Sequence, residues 1–130
     1  MKNFTYPVEV RFCDLDSLGH INNAVYLSYF ELCRIRWLKS TKISDLFGSR
    51  VPLILAHTAV DYIAPVLWED SLSCEVCLEK VGNKSFSLSY ELKKNSKQIC
   101  TKAISTQVWF DYDKQVSVQI PEKVRLLLAS

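Results

Sequence analysis

The sequence predicts an α+β fold in which one long helix is covered by a curved antiparallel sheet. Three observations point to it. Tyr26, Tyr29, Phe30, Cys33 and Trp37 recur at helical spacing and make a single apolar stripe. Leu72, Cys74, Val76 and Leu78, and then Phe86, Leu88, Tyr90 and Leu92, each follow a strict period of two, with Gly82-Asn83 between the runs as a hairpin turn. The remaining strand-like segments follow one another through short connections, which suits antiparallel neighbours. The 130 residues fit one domain spanning 1–130. A solitary helix cannot cover so large a sheet, so a second copy is expected to pair edge to edge, as a homodimer or homotetramer.

The elements are taken in chain order. Val8, Val10 and Phe12 alternate with Glu9 and Arg11 and read as a short strand. A turn-like stretch from Asp14 to His20 leads into a helix over Asn23–Lys39, with Asn22 or Asn23 as a suitable N-cap. Leu27, Leu32, Ile35 and Leu38 fall off the apolar stripe, so burial over more than one helix face is expected. Glu31 and Arg34 have the spacing of a local ion pair. Val51–Leu67 suits a strand with irregular ends at Pro52 and Pro65, in which His57 reads as a core histidine. Ile99–Tyr112 makes another long strand, Val116, Val118 and Ile120 a short one, and Pro121 opens a terminal helix through Leu128.

Composition removes several function classes. The glycines are Gly19, Gly48 and Gly82, and no dinucleotide fingerprint, P-loop or nucleophile elbow can be drawn from them. A net charge of +2 falls short of the basic excess that phosphate-tracking proteins carry, so no nucleic acid partner is expected. The N-terminal residues lack an apolar signal core and no stretch could span a membrane, which gives a cytoplasmic expectation. Cysteines 13, 33, 74, 77 and 100 are odd in number and scattered, in keeping with reduced thiols. Cys74 and Cys77 would point to opposite faces of a strand, so neither a metal site nor any other cofactor is expected.

Chemistry concentrates in Asp14-Leu15-Asp16-Ser17-Leu18-Gly19-His20-Ile21-Asn22-Asn23-Ala24-Val25-Tyr26. As a calcium loop it fails, because Leu18 and Val25 stand where oxygen ligands are needed. Ser17, His20 and Asp16 are too close in sequence to converge as a triad. A better reading starts from the helix end, where unpaired N–H groups and partial positive charge polarise a carbonyl and stabilise an oxyanion. Asp16 upstream can attack that carbonyl or activate water, and the N–H near Asn23 can polarise it. An ester or, better, a more reactive thioester is the natural target. Asp14 reads as a turn or cap residue, and Tyr26 as a core residue with its hydroxyl near the pocket.

The run from Val10 to Arg34 resembles the hydroxybenzoyl-CoA thioesterase branch of the hotdog-fold superfamily, and is similar in particular to the bacterial acyl-CoA thioesterases related to the Tol-Pal-associated enzyme. The resemblance implies a sheet wrapped around the long helix, an active site at a dimer interface, and acyl-CoA or acyl-carrier-protein as substrate. It implies Asp16 as the catalytic carboxylate, Asn23 as the donor of a backbone N–H to the thioester carbonyl, and His20 as the neighbour that positions water or the leaving thiol. Tyr26 is expected beside the substrate, and Lys84, Lys93 and Lys94, from the lysine-rich hairpins, are candidates for the coenzyme A phosphates. The rival readings are a hotdog hydratase or dehydratase and a non-catalytic acyl-thioester binding module.

Overall fold

The computed structural model describes residues 3–48 and 50–130. Six strands form one antiparallel sheet: β1 (Asn3–Val8), β2 (Leu53–Tyr62), β3 (Leu72–Val81), β4 (Ser85–Lys94), β5 (Gln98–Asp111) and β6 (Val116–Ser117). The long helix α1 covers Val25–Ser40 and a short helix α2 covers Glu122–Ala129. Strand order is β1-β3-β4-β5-β2, with β6 attached to β5, so chain neighbours pair from β3 to β5 while β1 and β2 take the edges. This is the hotdog arrangement: a curled sheet around one helix.

Alternation decides which side of each strand meets the helix. In β3, Leu72, Cys74, Val76 and Leu78 are buried while Ser73, Glu75 and Cys77 are not. The two sulfurs of Cys74-Glu75-Val76-Cys77 therefore sit on opposite faces. In β4, Phe86, Leu88, Tyr90 and Leu92 point the same way and pair in register with β3, Val76 opposite Tyr90 and Leu78 opposite Leu88. Against this surface lies the helix stripe Tyr26, Tyr29, Phe30, Cys33 and Trp37, all buried, with Leu38 added. Trp37 meets Phe86 at 5.9 Å and Phe30 meets Tyr90 at 5.0 Å between ring centroids, so the largest side chains fill the middle of the wrap. The Arg125 guanidinium donates to the carbonyls of Gly82 and Asn83, fastening α2 over the β3–β4 hairpin.

Four expectations change. The first strand lies at Asn3–Val8, not at 8–12, because Phe12–Asp14 turns into a single 3-10 turn that leaves Phe12 72% exposed. Pro7 is tolerated there because β1 is an edge strand that pairs only with β3. His57 is exposed, at an irregularity of β2 between Leu55 and His57, rather than in the core. Arg34 does not pair with Glu31; its Nη1 turns inward and donates to the Tyr90 hydroxyl at 3.1 Å. Finally, Leu38 is covered but Leu27, Leu32 and Ile35 are not, so in the isolated chain the second face of α1 is bare.

Candidate functional site

The loop from Asp14 to Asn23 is a small hairpin laid across the start of α1. Asp16 N–H donates to the His20 carbonyl at 2.7 Å and Asn22 N–H to the Asp14 carbonyl at 2.9 Å, so residues 14–16 and 20–22 run as paired arms. The tip closes with Gly19 N–H on the Asp16 carbonyl at 3.1 Å, and Gly19 takes φ +80, a left-handed conformation that side chains with a Cβ resist. Nothing lies within 4 Å of a Cβ built on Gly19, so the requirement is torsional rather than one of space. Ile21 N–H donates to the Val66 carbonyl at 3.0 Å, pinning the hairpin to the segment that follows β2.

Asp16 holds its own turn with one oxygen. Its Oδ1 accepts the N–H of Leu18 at 2.8 Å and that of His20 at 3.3 Å, whereas Oδ2 has no hydrogen-bond partner among the described residues. The carboxylate is thus oriented through one atom and presents the other. Asn22 shapes the helix entry: its Oδ1 accepts Ala24 N–H at 2.9 Å and its carbonyl accepts Val25 N–H at 2.9 Å. The N-cap of α1 is Ala24, which makes no side-chain cap bond, so neither candidate takes that role; Asn22 instead holds the turn that leads into the helix. Asn23 contributes its carbonyl to the Tyr62 hydroxyl at 3.0 Å, and its N–H finds no acceptor among the described residues.

Asp16, His20, Asn23 and Tyr26 line a common open cavity of about 220 Å³ together with Ile21, Tyr62, Ile63, Ala64 and Pro65. Tyr26 is buried, its ring edge-on to Tyr62 at 5.1 Å, and burial pushes its hydroxyl up to about 12. At neutral pH that phenol is a hydrogen-bond donor rather than a base. Lys94 reaches the same neighbourhood: its Nζ donates to the Pro65 carbonyl at 2.7 Å and lies 3.9 Å from Asp70. Lys93 stands exposed beside it, but Lys84 sits at the other end of β4, about 30 Å along the strand at ~3.4 Å per residue. One chain therefore does not bring the three lysines together.

Sequence reasoning missed two contributors. Tyr62 is one; only an aromatic at the close of a strand, before Ala-Pro, hinted at it. The other is the cluster around Asp14, which serves as the cap residue expected of it, on the Arg11 N–H, and in addition gathers buried side-chain partners. Its side chain is buried and accepts Arg11 N–H at 3.0 Å, Arg11 Nη2 at 2.9 Å and the Tyr29 hydroxyl at 2.7 Å. Burial alone raises the Asp14 carboxyl, but the bonds from Tyr29 and Arg11, with the guanidinium charge, outweigh it and hold the group below the usual carboxylate range. Tyr29 is driven the opposite way by burial and by the adjacent negative charge.

Among the described residues no His, Cys, Asp and Glu side chains gather as a metal site, and no helix is long and apolar enough to cross a membrane. The arrangement can instead present a carboxylate oxygen and a free backbone N–H at a helix start to one small electrophile. Comparison with known proteins gives the chain's relatives. The chain is 25% identical over 125 residues to the acyl-CoA thioesterase YbgC of Haemophilus influenzae, covering 94% of this chain and 91% of that one. A thioesterase from Thermus thermophilus, complexed with coenzyme A and Zn, is 32% identical with a TM-score of 0.85, covering 97% of each chain. A predicted thioesterase from Bacillus stearothermophilus superposes with a TM-score of 0.89 at 27% identity, covering 98% of this chain and 95% of that one. Residues 10–128 match the thioesterase-like superfamily, a span that takes in the loop hairpin, the long helix and every strand from β2 onward, and the chain belongs to that family.

Proposed function

We propose that this protein is an acyl-CoA thioesterase, hydrolysing an acyl thioester to the free acid and the thiol. The observation that carries this reading is the cavity that Asp16, His20, Asn23 and Tyr26 line together, with the Oδ2 of the Asp16 carboxylate and the helix-start N–H of Asn23 both without a partner among the described residues. With the thioester carbonyl on the Asn23 N–H, at the positive end of α1, the oxygen gains negative charge where it is stabilised. Asp16 takes a proton from water as hydroxide oxygen adds to the carbonyl carbon; the tetrahedral intermediate collapses, the C–S bond breaks, and the departing sulfur takes up that proton. Alternatively Asp16 itself adds to the carbonyl carbon, the C–S bond breaks to expel the thiolate, and water cleaves the resulting anhydride, returning the Asp16 carboxylate and supplying the proton the thiolate takes up. His20, on the same wall, positions the water or the leaving thiol.

The acyl group has room beyond the cavity. Grooves of about 160 and 420 Å³ share Glu31, Arg34 and Leu55 and follow α1 and β2 away from Asn23, with Leu27, Ile35 and Leu53 in their walls. Both grooves open on the bare face of α1 and the unpaired edge of β2, so a second copy is expected to close them. Antiparallel β2–β2 pairing would set the Leu53 end of one strand beside the Tyr62 end of the other. Lys84 lies near the Leu53 end, since Ser85 pairs with Val108 and Leu53 with Trp109. Lys84 of a second copy would then join Lys93 and Lys94 around the coenzyme A phosphates, within a homodimer or a homotetramer working in the cytoplasm. An acyl carrier protein would present the same thioester.

The test is thiol release from aliphatic and aromatic acyl-CoAs, run beside hydration of an enoyl-CoA. Thioester cleavage at turnover well above the blank is expected. Hydration without thiol release would make the protein a hydratase, and tight acyl-CoA binding without either reaction would make it a binding module.

A further inference from the structure

We propose that Asp14 is a positioning residue for the reaction at Asp16: its carboxylate, clamped by Arg11 and Tyr29, fixes the hairpin that sets Asp16 against the Asn23 N–H. This rests on the thioesterase reading above and extends it to residues outside the cavity. Asp14 is 1% exposed and touches none of the reacting groups, yet both of its functions converge on them. Its main-chain carbonyl receives the N–H of Asn22, the residue before the polarising N–H. Its side chain receives the Tyr29 hydroxyl from the inner face of α1 and three donors from Arg11 at the entry to the loop, Nε at 3.4 Å completing the set.

Among the described residues the hairpin arms are joined to each other by two backbone bonds, Asp16 N–H to the His20 carbonyl and Asn22 N–H to the Asp14 carbonyl, and by His20 N–H on Asp16 Oδ1. So short a hairpin is marginal by itself in water. The bond from Ile21 to Val66 ties the outgoing arm to the segment after β2, whereas among the described residues the incoming arm has no backbone bond beyond the loop and is held by the Asp14 side chain and by Phe12 packed edge-on against Trp68 at 5.6 Å. The carboxylate suits the cluster because the three Arg11 groups can only donate and the guanidinium carries a positive charge. An amide in its place gives up that charge-assisted pairing and reverses the Tyr29 bond, which loosens the clamp. Displacement of a reacting group by about 1 Å is enough to cost a hundredfold in rate.

The experiment compares wild type with Asp14→Asn and Tyr29→Phe by two readouts, steady-state thiol release from an acyl-CoA and amide hydrogen exchange of the intact protein. Both variants are expected to lose kcat by about tenfold to a hundredfold with KM changed by less than about twofold. The amides of Asp16 and Asn22 are expected to exchange at least about tenfold faster while those of β3 and β4 keep their protection. The double variant should lose little more than the worse single one. Unchanged exchange at Asp16 and Asn22, or an undiminished kcat in both variants, would overturn the proposal. Absence of thiol release from the wild type would sink the thioesterase reading alone, and the exchange rates would still decide whether Asp14 holds the hairpin.

Discussion

Gly19 shows how a single torsion shapes the site. Its φ of +80 lets the tip turn so that the N–H groups of Leu18 and His20 both reach Asp16 Oδ1. Gly19→Ala should cost about 1 kcal/mol in urea unfolding and slow turnover, whereas Gly19→Asn, which tolerates a left-handed backbone, should cost less. Equal effects of the two would contradict a torsional origin. Asp14 sets an acid limit at the same scale. Its carboxyl lies lower in the folded chain than in the unfolded one, so the unfolded state binds the proton first as pH falls. The stability this contributes is complete above the ordinary carboxylate range and disappears as pH drops through the lowered folded value. Urea midpoints measured from neutral to acid pH should therefore fall less steeply in Asp14→Asn. Some slope should persist, because Asp70, held down first by the Leu67 N–H and then by Asn95, behaves in the same way.

Among the elements, α1 does two jobs, and its sequence states only one of them openly. The stripe from Tyr26 to Trp37 is legible in the sequence because aromatic residues at helical spacing line up on one side of a helix and so mark the side that is buried. Trp37, 0% exposed, is the centre of that packing, and Trp37→Ala should lower unfolding stability by about 3–5 kcal/mol. The period-two runs of β3 and β4 are equally legible, as is the hairpin at Gly82-Asn83, because alternation and turn chemistry act locally. What escapes a sequence reading is decided by partners distant along the chain. Arg34 prefers the Tyr90 hydroxyl on β4 to Glu31 one turn away, and no spacing rule reports that choice. The incoming arm of the loop has the alternation of a strand, but Arg11 and Tyr29 capture Asp14 and bend it. Asp16, His20, Asn23 and Tyr26 stand out by their order alone, and folding sets all four around one cavity. The lysines stand out only by composition, and the fold separates Lys84 from the other two by the length of β4.

At the scale of the whole molecule, the chain leaves two apolar surfaces next to each other. Ile35 on α1 is 54% exposed and Leu55 on β2 is 50% exposed, and both line the groove that leads away from Asn23. An unpaired edge strand beside a bare helix face invites a second copy. Light scattering should return twice or four times the chain mass, and Leu55→Glu should shift the protein toward monomer with a parallel loss of thiol release. A fully active monomer would refute the shared site. The chemistry itself rests most directly on Asp16. Thiol release from an acyl-CoA should be at least about 100-fold slower in Asp16→Asn than in the wild type, with the melting temperature within a few degrees and acyl-CoA still bound. Hydrolysis at the wild-type rate by a folded Asp16→Asn protein would contradict it.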